Sequence, residues 1–160
     1  MATFDFTRLK RLMLIYRVVQ AVLFALLVFM AFSFQKLFKA FGNPEMFIKG
    51  IAVAVVVQLL MLYPVWLLAR RDVLVDVDAS ATGIAGDQMM ALRKRRLIGD
   101  LIKLCMMGFF AVFVLLAPGV DKGRGAALVL EGAYFSFLLV TLTYFQCFNI
   151  FAKRKMTELK

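Results

Sequence analysis

Glu131 is the residue whose type and setting most invite chemistry. It stands directly before 132–152, the longest uncharged run in the chain. An acid carried into lipid marks an ion or proton pathway, or a charge held by a partner. That run of 21 residues already spans about 31 Å at 1.5 Å per residue, enough for the ~30 Å hydrocarbon core. The expectation is therefore an acid at the outer interface, near Lys122 or Arg124, with an ion or proton site at Glu131 as the rival reading.

Other chemistry is thinly supplied. The chain has no histidine, which removes histidine ligation of haem or zinc and a histidine general base. Cys105 and Cys147 fall near the same ends of two apolar runs but form no C-x-x-C pair, so they read as small buried hydrophobes. Asp76, Asp78, Ser80, Thr82 and Asp87 match the odd and last places of a calcium-loop count. Ala81 occupies the place that needs glycine, and the final place should be glutamate, so capping and linker roles explain them better. No catalytic residue, metal ligand or cofactor-binding motif is assigned.

The elements around these residues are apolar and long. Of 160 residues, 63% are hydrophobic and the mean hydropathy is +0.86. A soluble domain averages about 45–50%, and a chain this small cannot bury the excess. Four transmembrane helices are expected, centred on the uncharged runs 18–34, 50–69, 104–117 and 132–152. Gly42, Asn43, Pro44 and Glu45 read as a tight turn: a left-handed glycine, an N-cap, a first-turn proline and an acid facing the helix dipole. Pro64 is expected to kink the second span. The polar interruption 70–96 separates two hairpins, 8–71 and 88–155, joined by a connection over 72–87. Val73, Val75 and Val77 alternate with Leu74, Asp76 and Asp78, a pattern compatible with a short strand.

Charge sets the orientation. The N-terminal segment, the central interruption and the C-terminal tail hold 15 basic residues, against 5 on the opposite side. Basic residues concentrate on the cytoplasmic face, so both termini and the connection are expected there. The net charge of +10 sits at the ends of apolar runs rather than on one face, which argues against nucleic acid as a partner. Arg70, Arg71, Arg93, Lys94, Arg95 and Arg96 are candidate contacts for anionic lipid headgroups. Gln20, Gln58, Ser136, Thr143, Gln146 and Asn149 read as interhelical hydrogen-bonding groups. Gly132 with Ser136, and Ala21 with Ala25, would permit close helix approach. Phe109, Phe110, Phe113, Phe135, Phe137, Phe145, Phe148 and Phe151 read as outward-facing bulk.

The fold expected is an all-α integral membrane protein, an up-down bundle of four transmembrane helices in a bacterial inner membrane. The favoured role is a non-catalytic accessory subunit or assembly factor, with a membrane protein partner or a second copy. A small oligomeric channel or proton- or cation-coupled transporter using Glu131 is the alternative, and a lipid-modifying enzyme the third.

Overall fold

The structure is a computed structural model that describes residues 4–83, 85–116 and 124–159. Four helices account for nearly all of these residues: α1 (Thr7–Ala40), α2 (Glu45–Asp78), α3 (Gly86–Leu116) and α4 (Arg124–Glu158). Three of them, α1, α2 and α4, are long and apolar enough to cross a membrane. Lys122 and the outer link over 117–123 lie outside the described residues, as do the side chains of Phe109, Phe113 and Arg124.

Local chemistry explains the ends. The Asp5 carboxylate accepts the Thr7 hydroxyl and the Thr7 N–H, which starts α1 and holds that carboxyl below its ordinary value. Gly42 takes φ +71, the left-handed conformation that closes a helix. Pro44 occupies the cap position and α2 begins at Glu45, one residue later than the turn pattern implied. Pro64 lies within α2, which continues through it.

The strand expected over Val73–Val77 does not form. α2 runs through Asp78, and Val73, Val75 and Val77 are all buried on it. A helix already propagating gains a bond for each residue it fixes, whereas a short strand has no neighbour to pair with. The non-helical link between α2 and α3 spans 79–85. It is tied to the N-terminus by a bridge between Phe4 and Ala81 and a bond from the Asp5 N–H to the Ser80 carbonyl at 2.8 Å. With Asp76 and Asp78 helical, the calcium-loop count has no loop to describe.

Helix α4 is the hub. At one end, Tyr144, Phe148, Ala152 and Met156 pack with Leu9 and Met13 of α1 and with Val65, Ala69, Val73 and Val77 of α2. At the other end, Ala127 and Phe135 pack with Phe34 and Phe38 of α1 and Ala54 of α2. So α2 and α4 run parallel, and α1 runs opposite to both. Gly132 lets α4 close on α2: a Cβ there would meet Val53 at 3.5 Å and the Gly50 carbonyl at 4.0 Å. Ala21 and Ala25, by contrast, are exposed and form no such seam.

Polar side chains in the apolar runs join helices, as expected of groups that find no water there. Gln20 donates to the Gln146 side chain at 3.1 Å and accepts from Asn149 at 3.2 Å, tying α1 to α4. Gln58 donates to the Thr143 hydroxyl, tying α2 to α4. The phenylalanines are more inward than composition implied. Phe135 and Phe148 are buried, and Phe110, Phe137, Phe145 and Phe151 are half-buried. From α3, Phe110 stacks on Phe137 of α4 at 3.8 Å and meets Tyr134 edge to face at 5.5 Å.

Candidate functional site

Glu131 is placed by two helices. It lies one turn from Ala127 and one turn from Phe135 on α4, both buried on the same side. Its carboxylate reaches Gly50 of α2, where an added Cβ would overlap it. Glycine at 50 therefore makes the room that the acid fills. The side chain is 0% exposed, and among the described residues neither Oε1 nor Oε2 has a hydrogen-bond donor. Glu131 is thus enclosed between α4 and α2. Along the axis it stays at the start of its apolar run, the depth expected of it, and sideways it points at α2.

An ionised carboxylate without a donor in an apolar setting is costly, and such a group is relieved by a proton or a cation. From Glu131 to Thr143, where α4 next meets a polar partner in Gln58, is about 18 Å along the helix. That stretch carries the buried Phe135 and Leu138. The geometry is that of a site, separated along α4 from the Gln58–Thr143 bond by buried apolar side chains.

The opposite end of the bundle holds a second constellation, which sequence reasoning missed. Asp72 of α2 accepts the Tyr144 hydroxyl of α4 at 2.6 Å and pairs with Lys103 of α3 at 2.7 Å. Lys103 also reaches Asp100 at 3.3 Å and lies 5.2 Å above the Tyr144 ring. One turn along α2, Asp76 pairs with Arg96 at 3.5 Å. Gly99 is buried where α3 crosses Asp72; a Cβ there would come within 3.0 Å of the Asp72 carboxylate. These groups clasp α3 to α2 and α4. The available signal was spacing: Asp72 and Asp76 are four apart and Arg96 and Lys103 seven apart, so both pairs face across antiparallel helices.

The proposed lipid-contact cations are not one cluster. Arg93, Lys94 and Arg95 are exposed on α3, while Arg96 turns inward to Asp76 and Asp100. Arg70 lies over the Trp66 ring at 5.5 Å, and Arg71 is exposed. Cys105 is exposed and Cys147 half-buried, both as free thiols. Among the described residues no group of histidine, cysteine or acid side chains could hold a metal ion. No family model, curated protein or solved structure matches the chain, so the functional reading rests on these geometries.

Proposed function

We propose that this is a non-catalytic membrane bundle in which Glu131 takes up a proton or a cation, as the working group of a small oligomeric channel or coupled carrier. One observation supports this above the rest: a carboxylate wholly buried between two apolar helices, both oxygens without a donor among the described residues. A purely structural acid at a helix interface is expected to have a partner cation or donor. The dry stretch beyond it favours an assembly of several copies, in which a neighbour completes the path.

In this reading the protein resides in a bacterial inner membrane, with α3 as the fourth span and both termini cytoplasmic. What supports the fourth span is chain direction. Parallel α2 and α4 cannot both cross unless the chain returns between them, and the 31-residue α3, about 46 Å long, is the element available. The excess of basic residues at the end holding both termini supports the orientation.

The test is flux in liposomes containing the purified protein and a pH-sensitive or cation-sensitive dye. The protein should dissipate an imposed gradient. Glu131→Gln, which keeps the shape and removes the charge, should abolish that flux while helical content is unchanged. Flux that survives the substitution would refute the proposal, as would a wild-type protein that conducts nothing.

A second reading, an accessory subunit or assembly factor, draws on α3. Its residues Leu97, Leu101, Leu104, Met107 and Leu115 are exposed, and the clasp and Phe110 are its chief holds on the bundle. In lipid, helices associate through packing, so a loosely packed helix is free to take a partner helix. This reading expects a larger particle in mild detergent that Leu104→Ser with Met107→Ser dissolves and Glu131→Gln leaves intact.

A further inference from the structure

Between α2 and α4, at the end that holds both termini, a crevice of about 260 Å³ opens beside Trp66 and Phe151. Its floor is apolar. The Trp66 and Phe151 rings meet edge to face at 5.6 Å, and Val73 and Leu74 continue the wall along α2. Its rim is cationic: Arg70 from α2, and Arg154 and Lys155 from α4. Arg154 and Lys155 share one acid, Glu158, at 3.0 and 2.6 Å. Three cations against one carboxylate leave the rim with an excess of two positive charges.

Level matters as much as charge. Arg70 ends the uncharged run 50–69, and Lys153, Arg154 and Lys155 end the uncharged run 132–152. The crevice therefore sits where apolar surface gives way to charge on two parallel helices, the depth at which headgroup phosphates lie. Tryptophan and basic side chains are the residue types that settle at this level.

We infer that this crevice binds one anionic phospholipid, its phosphate held by Arg70, Arg154 and Lys155 and its first chain carbons against Trp66 and Phe151. Charge complementarity selects the occupant: the rim's excess charge favours an anionic headgroup over a zwitterionic one. Glu158 competes with the phosphate for Arg154 and Lys155, so it sets the affinity. The inference requires α2 and α4 to cross the membrane but does not depend on Glu131 or on the direction of insertion.

Trp66 is the only tryptophan in the chain, so its fluorescence reports the crevice alone. The protein is placed in phosphatidylcholine vesicles containing a minority of phosphatidylglycerol, with bromine on the chains of one lipid or the other. Brominated phosphatidylglycerol should quench Trp66 well beyond its share of the bilayer. Arg154→Gln with Lys155→Gln should reduce that preference by about fivefold for each cation removed. Glu158→Gln should increase it. A merely structural role for this helix end would leave both variants like the wild type. The site is refuted if quenching simply follows the amount of each lipid, or if the double variant keeps the preference. Removal of the preference by inorganic phosphate would overturn the lipid as occupant. Absence of quenching by either brominated lipid would overturn the site together with the spans that place it, whereas flux through Glu131 is measured independently.

Discussion

Replacing Gly50 by alanine puts a carbon where the Glu131 carboxylate lies. Two opposing terms set the result. Alanine in place of glycine favours a helix interior by about 1 kcal/mol. Forcing one carbon into a packed interface costs about 1–3 kcal/mol. The obstructing atoms are the Cδ and an oxygen of a side chain enclosed between helices, so the upper part of that range applies. Gly50→Ala alone should destabilise the bundle by about 1–2 kcal/mol. Glu131→Ala removes the obstruction and leaves a void beside residue 50. In that background the new methyl enters free space, so Gly50→Ala should stabilise by about 1 kcal/mol. The sign of one substitution thus reverses with the identity of the other residue, a coupling of about 2–3 kcal/mol. The assay is a double-mutant cycle by sodium dodecyl sulfate titration in mixed micelles, followed by circular dichroism. Additive effects, within about 0.5 kcal/mol, would refute the close approach of Glu131 and Gly50.

The other predictions use the same preparation. Asp72→Asn removes the charge that holds Lys103 and weakens the bond from Tyr144; it should cost about 2–3 kcal/mol, reduced from a fully buried pair because Lys103 is partly exposed. Tyr144→Phe, which removes only the hydroxyl, should cost less, about 1–2 kcal/mol, in the same titration. Gln58→Leu deletes one α2–α4 hydrogen bond within the apolar runs and should cost about 0.6–1.7 kcal/mol. With Cys105 and Cys147 replaced, single cysteines at Asp87 and Gly125, both exposed, should label from opposite sides of the membrane with an impermeant reagent; labelling from one side would remove α3 as a span.

Axial features of this chain were legible in its sequence, and lateral ones were not. The apolar runs and the Gly42 turn follow from hydropathy and capping, which depend on position along one helix. The helix-joining roles of Gln20, Gln58, Gln146 and Asn149 were also readable, because a buried amide must find a partner. Which way Glu131 points depends instead on Gly50, a residue 81 positions away, whose missing side chain leaves no mark in a hydropathy profile. Val73–Val77 was misread for a related reason. Alternation with a period of two and helical spacing with a period of four coexist there: Asp72 and Asp76 fit a helix as well as the valines fit a strand. Burial on α1 and α4, with pairing to α3, decided between them. The phenylalanines were assigned outward because aromatic bulk is ordinary against lipid, but α4 is surrounded on more sides than its composition indicates.

Helix α2 is 34 residues, about 51 Å, while its uncharged run covers only about 30 Å. More than two turns of α2 continue past Arg70, and Phe6, Leu9, Met13, Val73, Val77 and Met156 form a core beyond the charged boundary of the apolar runs. Inside lipid, apolar side chains gain nothing by leaving their surroundings, since hydrocarbon chains solvate them well. In water they do. With the apolar runs placed in a membrane as proposed, the protein carries a small water-soluble keel on a lipid-soluble body, and the two halves are held together by different forces. Urea acts on the keel alone, so it should loosen α1 from α2 at that end while the amide bonds of Gln20 and Gln58 still hold the spans. The keel is the part whose stability falls on cooling, and the spans are the part that does not notice.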